Sequence, residues 1–202
     1  KVYEIEKMTK SSIIGRYIED SIQNEKSNIE VTLYQAFLKN EMMDLTTKKA
    51  VELGAYKIQP FFSKNVVVKL DLNKDREKKK EKLEKIVIEA VKQCGRTDIP
   101  EVLTFKNLEE LDESISENEI NILAYEKETI SLKETIENIK RRKMDVKRIG
   151  IIVGPEGGFR EEEIEKLKQI PNVYTVSLGL RILRAETASM NLLSIINYEF
   201  EK

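Results

Sequence analysis

"GIIVGPEGGFREEEIEKL", residues 150–167, is the stretch that decides the fold. It opens on the end of an apolar run, Ile149 to Val153, passes through Gly154, Pro155, Glu156, Gly157 and Gly158, and closes on an acidic stretch with helical spacing. A run of strand length that is apolar throughout reads as a strand buried on both faces, which is the habit of parallel sheets. The glycines and the proline mark the hand-over from strand to helix. The same alternation runs outward from residue 31. "IEVTLYQAF", "AYKIQPFF", "PEVLTF", "INILAY", "RIGIIVG" and "NVYTVSLG" read as strands. Between them "MMDLTTKKAVEL", "DREKKKEKLEKIVIEAVKQCG", "LEELDESI", "LKETIENIK" and "EEEIEKLKQI" read as helices, the first two stopped by Gly54 and Gly95. "AETASMNLLSIINYEF" closes the chain as a last helix. This rhythm predicts an α/β fold: a parallel sheet with helices on both faces.

In such sheets ligands bind beyond the carboxyl ends of the strands. Three loops there are polar or glycine-bearing: "AYEKET" (124–129), "VGPEGGF" (153–159) and "SLGLRILRAET" (177–187). The site is expected where they meet. The middle loop lacks the Lys-Ser/Thr ending of a phosphate loop and the G-x-G-x-x-G of a dinucleotide fold. Glu161, Glu162 and Glu163 follow it, carboxylates that suit the first turn of a helix and would repel a phosphate. The loop therefore suits an uncharged or cationic ligand held by backbone groups, or it is simply a tight turn. The third loop turns on Gly179 and sets Arg181 and Arg184 beside Glu186 and Thr187. An arginine there offers a planar fork of donors to a polarised carbonyl or a phosphate. Its alternative role is an ion pair with Glu186, which would itself serve the helix start.

Composition removes several chemistries. Among 202 residues there is no histidine, so Ser-His-Asp and Cys-His nucleophiles, HExxH zinc sites and imidazole acid/base work are excluded. A lone cysteine, Cys94, makes neither an internal disulfide nor a thiolate zinc site, and no metal is expected. A net charge of −1 does not mark a nucleic-acid binder, but the cations cluster: Lys48, Lys49, Lys57, Lys64, Lys69, Lys74 to Lys80, and Lys140 to Arg148. The mixed-sign helix "REKKKEKLEK" reads as a solvated face. No run approaches the roughly 18 to 20 apolar residues of a membrane span, and a cytoplasmic chain is expected. Val2, Tyr3 and Ile5, then Ile13, Ile14, Tyr17 and Ile18, read as a hairpin entered midway.

Taken together, residues 150–167 and "VSLGLRILRAETASMNLL" (176–193) resemble the two signature motifs of the 16S rRNA uridine-N3 methyltransferase family, in the SPOUT superfamily. "MMDLTTKKAVELGAYKIQPFFSKNVVVKL" (42–70) and "EAVKQCGRTDIPEV" (89–102) resemble further segments of that family. The resemblance covers residue 31 to the end. Residues 1–30 resemble the last hairpin of the family's N-terminal PUA-like barrel.

The resemblance implies S-adenosylmethionine as methyl donor, one uridine of small-subunit rRNA as substrate, a homodimer, and a C-terminal deep trefoil knot. It implies that the donor touches three loops: Leu123, Ala124, Tyr125 and Glu126; Gly154, Pro155, Glu156, Gly157 and Gly158; and Ser177, Leu178, Gly179, Ile182 and Leu183, with Thr187 after them. With histidine absent, Arg184 is the candidate stabiliser of the uracil oxygen and Glu186 the candidate base. Arg181 is expected to face the nucleotide, and Lys49, Arg96, Arg141 and Arg142 to hold RNA phosphates. Two departures stand out. Arg160 occupies the place of a helix-capping hydroxyl residue, and Asn65 that of an arginine ahead of a "VVKL" strand. A ribose 2′-O-methyltransferase and a non-catalytic ribosome-assembly module are the alternatives.

Overall fold

The computed structural model describes residues 2–19, 27–66, 75–142 and 145–202. The strand read first, β8 (Arg148–Val153), lies in the middle of a sheet with β3 (Glu30–Ala36) on one side and β7 (Ile120–Ala124) on the other. Beyond β3 come β4 (Lys57–Phe62) and the two-residue strands β5 (Glu101–Val102) and β6 (Lys106–Asn107); beyond β7 comes β9 (Val173–Val176). Every pairing in this seven-stranded sheet is parallel. The remaining strands, β1 (Val2–Met8) and β2 (Ile13–Glu19), form a separate antiparallel hairpin, as expected.

Side chains alternate across the sheet and divide the core in two. Val31, Leu33, Ile122, Ile149, Ile151 and Val153 meet α1 (Asn40–Glu52), α2 (Asp75–Cys94), α4 (Leu132–Arg142) and α6 (Ala185–Phe200) on one face. Tyr34, Ala36, Leu123 and Ile152 meet α3 (Asp112–Ser116) and α5 (Glu161–Gln169) on the other. Both faces are covered, so the strands can be apolar throughout. Where β7 and β8 carry Asn121 and Gly150, the layers are pinned by polar bonds: Asn121 Nδ2 donates to Ile115 O at 2.9 Å, and Asn118 Nδ2 to Asn121 Oδ1 at 2.8 Å and to the Tyr34 hydroxyl at 3.0 Å.

Two elements differ from the expectation. "PEVLTF" is not one strand, because Pro60 in β4 has no N–H to offer that edge. The Gln59 side chain donates instead to Thr104 O at 2.8 Å, and the pairing resumes one step later as β6. "LEELDESI" divides into a tight 3-10 turn, Leu108–Glu110, and α3, because the Glu110 carboxylate folds back onto the Asn107 N–H. The "VVKL" strand (67–70), Lys69, Lys74 and Lys143 fall outside the described residues.

Candidate active site

Parallel strands deliver their carboxyl ends to one edge, and there β3, β7, β8 and β9 open onto a cavity of about 730 Å³. Residues 124–126, 153–159 and 177–186 wall it, joined by Ala188 and by Lys39 and Met42 from the start of α1. That volume lies within the range of small-molecule sites.

Backbone bonds set the walls. Tyr125 N–H donates to Val176 O, and Ser177 N–H to Ile130 O at 2.8 Å, so the loop after β7 is fastened to the exit of β9. Thr175 Oγ1 donates to the Glu128 carboxylate at 2.6 Å, and the N–H groups of Thr129 and Ile130 add to it. The Thr175 bond is the largest reason that Glu128 titrates below the usual carboxylate range. A depressed folded-state pKa contributes stability above the unfolded value near 4.5 that is lost as pH falls through the folded one. In thermal unfolding, Glu128→Gln is therefore expected to lie below the parent at pH 7, with the gap closing as pH drops beneath that value.

In the glycine loop, Gly158 N–H donates to Pro155 O at 2.9 Å, closing a turn that leaves Gly158 at φ 69°. A Cβ there would crowd the Glu126 carboxylate at 3.1 Å from Oε1, so the bare backbone of Gly158 lets the two loops approach closely. Glu156 Oε1 accepts from the Lys39 N–H at 3.0 Å, placing a carboxylate at the otherwise uncapped start of α1. The acids after the loop are all engaged. Glu161 pairs with Lys127 at 2.7 Å and Glu162 with Lys64 at 2.5 Å, and both are held below the usual range by those hydrogen bonds. Glu163 is buried.

The third loop leads into α6 with Arg184 as its N-cap residue. The buried Ser189 hydroxyl lies between Ala185 O and Gln35 Oε1, which fixes the first turn of α6 to β3. Ser189→Ala leaves that buried oxygen without its donor, an expected cost of about 1 to 3 kcal/mol read as a lowered unfolding midpoint. Among the described residues Arg184 and Glu186 form no ion pair and Glu186 makes no cap bond, although Glu186 stands in the first turn of α6, where a carboxylate suits the helix dipole. Both line the cavity with Arg181, and three carboxylates, those of Glu126, Glu156 and Glu186, share the rim with three cations, Lys39, Arg181 and Arg184.

Residues 25–197 match the model of the RNA methyltransferase domain. The chain belongs to that family. It is 31% identical to the ribosomal RNA small subunit methyltransferase E of Bacillus subtilis over 98% of this chain and 77% of that protein. Among solved structures it is similar to a methyltransferase of Legionella pneumophila in complex with the bound cofactor SAM, with TM-score 0.86 and 28% identity over 99% of this chain and 78% of that one. It is also similar to a ribosomal RNA small subunit methyltransferase E of Neisseria gonorrhoeae bound to S-adenosyl methionine, with TM-score 0.83 and 26% identity over 98% and 78%. The resemblance carried by the two signature loops is borne out at the level of the family.

In this RNA methyltransferase domain the cavity gathers the candidate residues of all three loops except two. Leu123 points into the core layer under α5, since alternation along β7 turns it from the cavity face. Thr187 is exposed and lies outside the cavity wall. Lys39 and Met42 were missed, although the end of β3 is one more strand end on the same edge.

Four of the five RNA-contact candidates lie away from the cavity. Crossover helices run against the strands they connect, so the last turns of α1, α2 and α4 lie at the amino edge of the sheet. A six-residue strand such as β8 puts that edge about 20 Å from the cavity. Lys49 is there, in an ion pair with Glu52 at 2.6 Å. Arg141 and Arg142 end α4, with Arg141 near Glu137 at 3.8 Å. Arg96 is committed to structure: its guanidinium donates to Val51 O at 2.8 Å and Ala55 O at 3.0 Å, closing the end of α1, and pairs with Asp98. Of the five, Arg181 alone shares the cavity's edge.

Proposed function

We propose that this protein transfers a methyl group from S-adenosylmethionine to N3 of one uridine in 16S rRNA. The observation that carries the reading is the convergence of both signature loops and the loop after β7 on one cavity, whose rim mixes carboxylates with arginines that are unpaired among the described residues. The family match and the SAM-bound relatives support it.

The residues present fit the donor: the glycine loop lines the cavity with bare backbone, and carboxylates rather than a phosphate cradle suit a sulfonium. When bound, S-adenosylmethionine supplies an electrophilic methyl group. Residues 124–126, Gly154 to Gly158 and Ser177 to Leu183 would hold it. Uracil N3 carries its proton at neutral pH, so the chain must take that proton and stabilise the charge left on the ring. Glu186 would accept the proton, and Arg184, two residues before it and unpaired among the described residues, would donate to the uracil oxygen where charge gathers; that both line the cavity supports these roles. Arg181 and Lys39, on the same rim, offer charge to RNA phosphates.

The same reading extends to architecture. Residues 1–30 belong to a PUA-like barrel and residues 31–202 to the methyltransferase domain; in support, β1 and β2 expose apolar residues on both faces, which a lone hairpin cannot stabilise. A trefoil knot would suit a chain that leaves edge strand β9 bonded to the 125–132 connection and returns as α6 to pack on β8, β3 and α1. A homodimer would cover the exposed Leu180, Ile182 and Tyr198. No described helix is long and apolar enough to cross a membrane, in keeping with a cytoplasmic site of action on ribosomal RNA.

The test is incubation with small ribosomal subunits lacking the modification, and with the free RNA, followed by nucleoside mass spectrometry. N3-methyluridine is the expected product. A 2′-O-methyl nucleoside would move the chain to the ribose methyltransferases, and no product with either RNA would favour the assembly-module reading.

A further inference from the structure

The short segment after β4, Ser63 to Asn65, crosses the carboxyl end of β3 and reaches the glycine loop, which follows β8. Four kinds of contact tie the two together. The Asn65 side-chain amide donates to Gly158 O at 3.2 Å and Gly157 O at 3.4 Å. Its oxygen accepts from Arg160 Nε at 3.2 Å. Glu163, 2% exposed, accepts from Lys64 N–H at 2.9 Å, Arg160 N–H at 2.8 Å and Ser63 Oγ at 3.3 Å. Lys64 pairs with Glu162 at 2.5 Å.

The two departures from the family pattern therefore touch: Asn65 and Arg160 are hydrogen-bonded to each other. An arginine side chain has no acceptor, so Arg160 cannot cap α5 through its side chain. The cap is made from inside the helix, by the Glu163 carboxylate on the Arg160 N–H. The same carboxylate reaches the Lys64 N–H and Ser63, so what replaces the missing cap is also what holds the 63–65 segment.

Asn65 acts on the cavity wall itself. Gly157 and Gly158 line the cavity, and both carbonyls turn outward to one side-chain amide, which fixes the planes of two successive peptides. Because a trans peptide sets its N–H opposite its carbonyl, the Gly158 carbonyl held by Asn65 also aims the Phe159 N–H, while the Gly157 carbonyl backs the peptide whose N–H closes the turn onto Pro155 O. Asn65 further stands where a side chain on Gly157 would go: a Cβ there would meet Asn65 Cβ and O at 3.3 Å. We propose that Asn65 is a positioning residue for the methyl-donor loop, holding the Gly157–Gly158 carbonyls so that the wall is set before the donor arrives, with Glu163 as the anchor of the segment that carries it. This rests on the donor site given under Proposed function.

The test is S-adenosylmethionine affinity by calorimetry, with KM and kcat for RNA methylation, in the parent, Asn65→Ala and Asn65→Asp. Aspartate keeps the shape and the acceptor for Arg160, and turns the donor to the two carbonyls into a charged acceptor that they repel. Both variants are expected to raise Kd and KM for the donor about tenfold, with kcat within about twofold and the unfolding midpoint of the free protein close to that of the parent. That pattern is loss of binding common to ground and transition state. Donor affinity unchanged in either variant, or an aspartate variant that behaves as the parent while alanine is impaired, overturns the proposal and leaves the donor site standing. A folded parent that binds no donor overturns the donor site and this inference with it.

Discussion

Arg184→Ala is expected to lower kcat for RNA methylation by about two to three orders of magnitude, with donor affinity unchanged within about twofold. The size follows from the loss of one preorganised donor aimed at an oxygen that gains charge in the transition state. The selectivity follows from placement. Arg184 precedes α6, its first turn fixed through Ser189 to β3, and it makes no ion pair among the described residues that its removal would break. Arg184→Lys is expected to recover little of the loss, since an ammonium does not reproduce the planar fork. Single-turnover methylation at saturating donor and RNA measures the effect. A variant that binds donor weakly yet turns over at the parental rate would make Arg184 a part of the donor pocket instead.

Gly158→Val should abolish measurable donor binding, with Kd raised by at least about 100-fold, or roughly 2.8 kcal/mol. Two effects coincide at this position. At φ 69° a β-branched residue is strongly disfavoured, so the turn closed by the Gly158 N–H to Pro155 O bond would rearrange. Were the turn to persist, the new side chain would crowd the Glu126 carboxylate and displace it within the cavity wall. Calorimetry on the folded variant, its state verified by far-UV circular dichroism, gives the answer. Parental affinity in that variant would remove the glycine loop from the donor site.

The parallel sheet was legible because its signals are local: "IEVTLYQAF", "INILAY" and "RIGIIVG" are rich in apolar and β-branched residues over strand length, and Gly54 and Gly95 end α1 and α2. The meeting of the three loops follows from parallel strands sharing one carboxyl edge. What the motifs did not show has physical causes of two kinds. Alternation along β7 turns the Leu123 side chain to the other layer, and Lys49, Arg141 and Arg142 lie at the edge far from the cavity because crossover helices end there; both placements follow from the pattern. The others rest on partners distant in sequence. Arg96 is occupied by carbonyls 41 and 45 residues away, the bond between Asn65 and Arg160 spans 95, and Gln59 reaches Thr104 across 45. No periodicity or short motif records such pairs. The loop motifs thus located the site while its bracing stayed hidden.

Amide hydrogen exchange of the protein with and without S-adenosylmethionine is the most direct measurement of the central claim, because it asks where the donor sits rather than whether it binds. The account predicts protection confined to residues 124–126, 153–159 and 177–186, with the amino edge of the sheet around Arg96 and Arg141 unchanged. Saturating donor that protected other segments, or none, would contradict it.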